Sequence, residues 1–211
     1  MDKSKIAVDI FNKHATSYES KFMDVSLYHH SFDMFCKLIM KQNATVLELA
    51  CGPGNITKYI LHIRPDLNIL ATDLAPNMVE LAKANNPTAQ VQLMDSRAIK
   101  QLHKKYDAIM VGFCLPYLSK EEAIQLIKDA SNALHLNGVI YLSTMEDDYS
   151  KSAFKKGSAG DEIFMHYHQA DYLSAALIEN GFVINELIRQ AYPEKDGSQT
   201  TDLILIATYL K

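Results

Sequence analysis

The sequence predicts an α/β fold built on an open, largely parallel sheet, and three observations carry that prediction. Short apolar runs alternate with stretches of helical periodicity from residue 45 onward. The first run, Val46-Leu47-Glu48-Leu49, breaks into Cys51-Gly52-Pro53-Gly54 and opens directly into a helical pattern. A strand, a glycine turn and a helix in that order let backbone approach a ligand closely, because glycine has no Cβ and tolerates positive φ. The second run, Asn68 to Thr72, leads into Asp73. That carboxylate lies about 20 residues past the glycines, the separation at which an acidic side chain meets a ribose hydroxyl pair in nucleotide-binding βαβ units. The three together point to an adenosine-like ligand.

The remaining elements follow in order. Residues 3–40 read as helices, with Ile6, Ile10 and Phe11, and then Phe32, Phe35, Cys36 and Ile39, at helical spacing. After the glycine turn, Ile56, Tyr59, Ile60 and Ile63 mark one helical face, which Arg64-Pro65 ends. Pro76 stands where a helix begins, with Met78, Leu81 and Ala82 on its buried side and Asn85-Asn86-Pro87 at its close. Strand three is Ala89 to Met94, and Asp95-Ser96 follows it. Strand four, Tyr106 to Val111, runs into Gly112-Phe113-Cys114-Leu115-Pro116-Tyr117. Ser119-Lys120-Glu121-Glu122 is a capping box for a long helix that Asn137-Gly138 stops, and strand five is Val139 to Ser143. The stretch from Met145 to Phe164 has little periodicity and follows the carboxyl end of a strand, so a substrate lid is placed at 145–168. A helix from Gln169 to Asn180 ends at Gly181. Finally, Phe182–Gln190 and Leu203–Tyr209 are β-rich runs whose connection, Tyr192 to Ser198, is too short for a crossover helix, which makes them an antiparallel pair.

Composition bounds the partners. At 211 residues, with 48% hydrophobic and 22% charged residues, the chain reads as one soluble domain. A net charge of −4 leaves no basic footprint for duplex nucleic acid. Cys36, Cys51 and Cys114 form an odd set without C-x-x-C, the pattern of reduced thiols in a cytoplasm. No apolar run approaches the roughly 20 residues of a membrane span, and the first residues show no signal-peptide apolar region.

The run VLELACGPGN resembles motif I of the class I S-adenosylmethionine-dependent methyltransferases, in the form VLDLGCGTG. FNKHATSYESKF, Phe11 to Phe22, is similar to the F-D-x-x-A-x-x-Y-D segment that small-molecule members place over the cofactor, with Asn12 and Glu19 where Asp is usual. The resemblance implies a Rossmann-like class I methyltransferase fold: a seven-stranded sheet with an antiparallel last strand, helices on both faces, and an N-terminal helical cap (1–40) on a cofactor-binding core (41–211). It also implies S-adenosylmethionine as cofactor, S-adenosylhomocysteine as product, and SN2 transfer of a methyl group to an O, N or C atom of a small-molecule acceptor. By the same resemblance Glu48 would help hold the methionyl amino group, and the turn from Ala50 and Cys51 through Gly52, Gly54 and Asn55 would meet the carboxylate and sugar. Asp73 would take the ribose hydroxyls, Leu74 and Met78 would flank the adenine, and Asp95-Ser96 would meet its amino group. Phe113 and Cys114 would stand by the sulfonium, and Tyr18 would reach the methionyl end.

Rival readings stay open at several of these positions. Asp73 also suits a plain helix entry, Asp95-Ser96 a surface turn, and Tyr18 a half-buried place on an amphipathic helix. Tyr28-His29-His30 could line a substrate mouth or be a partly packed, solvated group. Leu115-Pro116-Tyr117 echoes the N/D-P-P-Y box of amino-methylating enzymes, but Cys114 and Leu115 replace its amide or carboxylate. Cys114 has no evident activating partner for a nucleophilic role. His166 and His168 read as structural histidines, as a general base for one of them, or, with Asp161 or Glu162, as metal ligands lacking a third partner. The catalytic residue is not legible, with His168 and Tyr117 as candidates, and no metal is expected. An NAD(P)-dependent oxidoreductase, disfavoured by Glu48 and the terminal strand pair, and a non-catalytic cofactor-binding protein are the alternatives. Acceptor and oligomeric state are not legible.

Overall fold

The computed structural model describes residues 3–156, 160–194 and 197–211. Helices α1 (Lys3–Lys13), α2 (Ala15–Phe22) and α3 (His29–Leu38) precede strand β1 (Thr45–Leu49). Then come α4 (Asn55–Ile63), β2 (Asn68–Asp73), α5 (Pro76–Asn85), β3 (Gln90–Leu93) and β4 (Tyr106–Val111). Helix α6 (Lys120–Ala133) leads into β5 (Leu134–Glu146), followed by a small hairpin of β6 (Ala153–Lys156) and β7 (Glu162–Met165). Helix α7 (Ala170–Glu179) and strands β8 (Phe182–Pro193) and β9 (Gln199–Tyr209) complete the chain.

The main sheet has seven strands in the order β3-β2-β1-β4-β5-β9-β8. The first five are parallel, and β9 inserts antiparallel between β5 and β8: the short terminal connection predicts the antiparallel pairing of β8 with β9, and the motif resemblance implies the insertion. The central strands are apolar on both faces because helices cover both. Leu47, Ile109, Ile140 and Leu142 face α6 and α7, packing with Leu126, Ile127, Leu173 and Leu177. Val46, Met110 and Tyr141 face α3 and α4, packing with Phe32, Phe35 and Ile60. Period-2 alternation thus sends neighbouring residues into two separate cores. The parallel strands all end at one edge, which carries the glycine turn, Asp73, Asp95 and Phe113.

Ser119 caps α6 as predicted: its hydroxyl accepts from the Glu122 amide (3.2 Å), and Glu122 Oε2 accepts from the Ser119 amide (2.8 Å). Two boundaries depart from the sequence reading. Helix α6 stops at Ala133 rather than at Asn137-Gly138, because Leu134 turns extended (φ −95°, ψ 147°), pairs with Tyr106 and is fully buried. The glycine then serves an irregular entry to β5, with Asn137 left-handed (φ 64°) and the ladder register shifting. The 145–168 stretch is not structureless: it holds the end of β5, a short turn and the β6–β7 hairpin, with residues 157–159 outside the described residues. Of the terminal connection, residues 195–196 also lie outside them. Among the described residues no helix is long and apolar enough to cross a membrane.

Candidate functional site

At the end of β1 the backbone turns left-handed at Ala50 (φ 54°), Gly52 (55°) and Gly54 (79°). Two of these are glycines, for which positive φ carries no steric penalty; Ala50 holds its conformation at some strain. Asp73, at the tip of β2, fixes the turn: Oδ2 accepts from the Gly52 amide and Oδ1 from the Ala75 amide, both at 2.8 Å. Burial raises the Asp73 carboxyl above its ordinary value, against the pull of these N–H donors. Beneath the turn, Asn86 Nδ2 donates to the Gly54 carbonyl (2.9 Å).

Glu48 points from β1 into the same region and is 1% exposed. Its Oε2 accepts from Thr57 Oγ1 at 2.5 Å, whereas Oε1 has no partner. Burial pushes its carboxyl up to about 7, opposed by the Thr57 hydroxyl and reinforced by Asp73. Among the described residues, Thr144 Oγ1 is the other buried side-chain oxygen left unpaired.

Above the turn lies a cleft of about 770 Å³, counted out to its mouth. It brings together Ala50, Gly52, Asp73, Leu74 and Met78 on one side with Asp95, Ser96, Phe113 and Cys114 on the other. Tyr18 and Tyr117 line its far end. A Cβ on Gly52 would sit 3.8 Å from the Tyr18 ring, so that ring stands directly over the turn. Phe11 packs edge-on against Tyr18 (5.5 Å between centroids) and Tyr117 (5.0 Å). Phe113 is left-handed (φ 51°), and its amide donates to Ser143 Oγ at 2.9 Å. At the opposite end Asp95 is paired with Arg97, whose Nη1 also reaches Glu122 (2.9 Å).

Other predicted residues lie outside the cleft lining. Glu48 at the end of β1 and the turn residues Cys51 and Gly54 do not line it, and the Asn55 side-chain amide donates to the Phe22 carbonyl (2.8 Å). Burial raises both the Cys51 and Cys114 thiols, the latter to about 12, so neither is a thiolate near neutrality. Tyr117 is likewise pushed above the ordinary phenol range by burial.

His168 is fully buried away from the cleft. Its Nε2 lies 2.8 Å from the Leu115 carbonyl and Nδ1 meets the Tyr172 hydroxyl, and burial holds the ring down to about 4. His166 donates its amide to the Pro116 carbonyl (2.8 Å) and sets Nδ1 by Tyr149. The two histidines therefore brace the 115–117 turn that carries Tyr117. Asp161 is held by His14 and Lys13, and no group of three metal-ligating side chains occurs among the described residues. Sequence reasoning missed Ser4, Ala7 and Val8 of α1, together with Met94, Arg97 and Leu118. Only the apolar spacing of α1 and the end of strand three foreshadow any of them.

Residues 46–138 match the methyltransferase domain family. This match supports the resemblance to the class I S-adenosylmethionine-dependent methyltransferases that the motifs carry. The chain is 25% identical over 158 residues to the release factor glutamine methyltransferase of Streptococcus pneumoniae, covering 74% of this chain and 54% of that one. It is 31% identical over 104 residues to the malonyl-[acyl-carrier protein] O-methyltransferase of Priestia megaterium, covering 47% and 37%. The chain thus spans about half or less of the length of these curated relatives. The fold matches magnesium protoporphyrin IX methyltransferase from Synechocystis PCC 6803, solved with bound SAM, with a TM-score of 0.73 over 99% of this chain and 98% of that chain, at 16% identity. The class I methyltransferase fold expected from the motifs is the fold observed.

Proposed function

We propose that this chain, as a single domain with residues 1–40 capping the site, binds S-adenosylmethionine and transfers its methyl group to a small-molecule acceptor. One observation carries the reading: a buried carboxylate with an unpartnered oxygen, Glu48, lies under a glycine turn that Asp73 clamps beside a nucleoside-sized cleft. A buried polar atom without a partner calls for one, and an ammonium group suits Glu48 Oε1. The Gly52 backbone, with only the Tyr18 ring over it, leaves room for close approach. Asp73 is placed to accept from ribose hydroxyls, and Leu74 and Met78 offer an apolar bed for a base. When bound, the cofactor supplies an electrophilic methyl on a sulfonium. The chain's residues then align donor and acceptor and exclude water, with Tyr18, Phe113 and Tyr117 walling the reacting end. The named acceptors of its relatives, a protein glutamine and a malonyl carrier protein, differ in size and chemistry, so kinship alone does not choose one.

Calorimetric titration with S-adenosylhomocysteine, with NADH in parallel, tests this. Micromolar binding of the former alone supports the reading; binding of NADH alone, or of neither, overturns it.

A further inference from the structure

Beyond Phe113 the structure holds a second carboxylate in aromatic surroundings. Tyr28 packs edge-on against Phe113 (5.2 Å between centroids), and its hydroxyl donates to Asp202 Oδ2 at 2.6 Å. Asp202 sits near the start of β9, at the ligand edge of the sheet, and is only 3% exposed. Tyr28 thus links Asp202 to Phe113, which lines the cleft together with Tyr18 and Tyr117.

Burial raises the Asp202 carboxyl above its ordinary value, opposed by the Tyr28 hydroxyl and reinforced by Glu194. Several cations near the cleft are engaged elsewhere: Lys13 with Asp161, Arg189 with Glu146, Arg97 with Asp95 and Glu122, and Lys3 over the Phe164 ring. An anionic acceptor would meet a buried carboxylate with no opposing cation among the described residues, which disfavours its charged form. A cationic group gains both from the carboxylate and from the aromatic faces.

Building on the methyltransferase reading above, we propose that the acceptor is a small amine on an apolar or aromatic body, directed by its nitrogen to the Tyr28–Asp202 pair. The amine arrives as an ammonium ion and passes one proton to the Asp202 carboxylate. Its freed lone pair then bonds to the methyl carbon as that carbon's bond to sulfur breaks, the electrons staying on sulfur. The methylated amine leaves with the positive charge, and Asp202 returns its proton to water. Tyr28 holds the carboxylate in place through its O–H.

The test uses the protein saturated with S-adenosylhomocysteine and two probes of like size and opposite charge, 2-phenylethylamine and 3-phenylpropanoate. The amine is expected to bind at least tenfold more tightly. Asp202→Asn should abolish that preference while S-adenosylhomocysteine affinity stays within twofold. Tyr28→Phe, which keeps the ring, should reduce the preference and decides the matter if Asp202→Asn does not fold. Equal or tighter binding of the propanoate, binding of neither probe, or a preference that survives in both variants overturns the amine assignment and leaves the cofactor reading standing. Absence of S-adenosylhomocysteine binding overturns both.

Discussion

His168 Nε2 donates to the Leu115 carbonyl across 2.8 Å, although the two residues are 53 apart in the chain. A carbonyl only accepts, so this contact puts the proton on Nε2 and leaves Nδ1 to accept from Tyr172. Both ring nitrogens are occupied. The residue chosen from the sequence as a candidate base is instead built as a brace for the turn that presents Tyr117.

Removing the brace should cost stability. His168→Ala leaves the Leu115 carbonyl and Tyr172 hydroxyl unpaired around a cavity, a loss of about 2–4 kcal/mol measurable by urea denaturation. His168→Gln can still donate to Leu115 and should recover much of it. The ring also titrates, at about 6.5 unfolded and about 4 folded. Its contribution is therefore complete above pH 6.5 and lost as pH falls toward 4. Over that window the wild type should lose about 2–3 kcal/mol relative to His168→Gln. Parallel pH curves for the two proteins would contradict this.

Glu48 runs the other way. Its folded value of about 7 lies above 4.5, so its contribution is complete below pH 4.5 and lost as pH rises through 7. Glu48→Gln should gain about 2–3 kcal/mol on the wild type across that interval. Ligand binding should show the complementary trend. An ammonium group favours the ionised carboxylate, so wild-type affinity for S-adenosylhomocysteine should climb about tenfold per pH unit below 7 and then level. Glu48→Gln should give a flat, weaker profile by calorimetry.

Asp73→Ala should weaken S-adenosylhomocysteine binding by about 1–3 kcal/mol, the scale of hydrogen bonds to a charged group. The same change frees the Gly52 and Ala75 amides, so some loss of thermal stability should accompany it. Unaltered affinity in a folded variant would take Asp73 out of the ribose role.

The two glycines of the turn should separate binding from folding. A Cβ at Gly54 would run into Asn86 Nδ2 and lie 3.2 Å from the Ala82 backbone, at a left-handed φ of 79°. Gly54→Ala should therefore destabilise the protein by about 2–4 kcal/mol. A Cβ at Gly52 finds its nearest atom 3.8 Å away, in the Tyr18 ring. Gly52→Ala should cost only about 1–2 kcal/mol of stability yet cut S-adenosylhomocysteine affinity at least tenfold. The pair is compared by melting temperature and calorimetry on the same samples.

How far the sequence reaches is visible in particular residues. The succession of strands and helices along the chain and the antiparallel pairing of the last two strands follow from local signals, period and a short connection. The meeting of Met78 and Asp95 with Gly52 and Asp73 at one cleft is implied by the motif resemblance. What is missed depends on long-range packing. Leu134 leaves its helix because a place in the sheet beside Tyr106 buries it fully. The hairpin strands β6 and β7 are four residues each, and those of β6 are all exposed, so no buried face marks them in the sequence. Ser4, Ala7 and Val8 line the cleft only because α1 folds across it, and the Tyr28–Asp202 bond joins residues 174 apart.

Helix α1 is the roof of the cleft, and what fastens it to the β6–β7 side is slight: Lys13 and His14 on Asp161, and Lys3 over the Phe164 ring at 3.4 Å. Pairs this open to solvent, partly so for His14 and Asp161, contribute little each. On its other side Asn12 accepts two 2.8 Å hydrogen bonds from Asn77 and Phe11 packs on Tyr18 and Tyr117, so lifting the roof breaks these contacts too but leaves the sheet folded. A nucleoside-sized molecule must wait for that event, so at high concentration the observed association rate should stop rising and level at the frequency with which α1 opens. Exchange of spent for fresh cofactor then runs on the clock of one short helix.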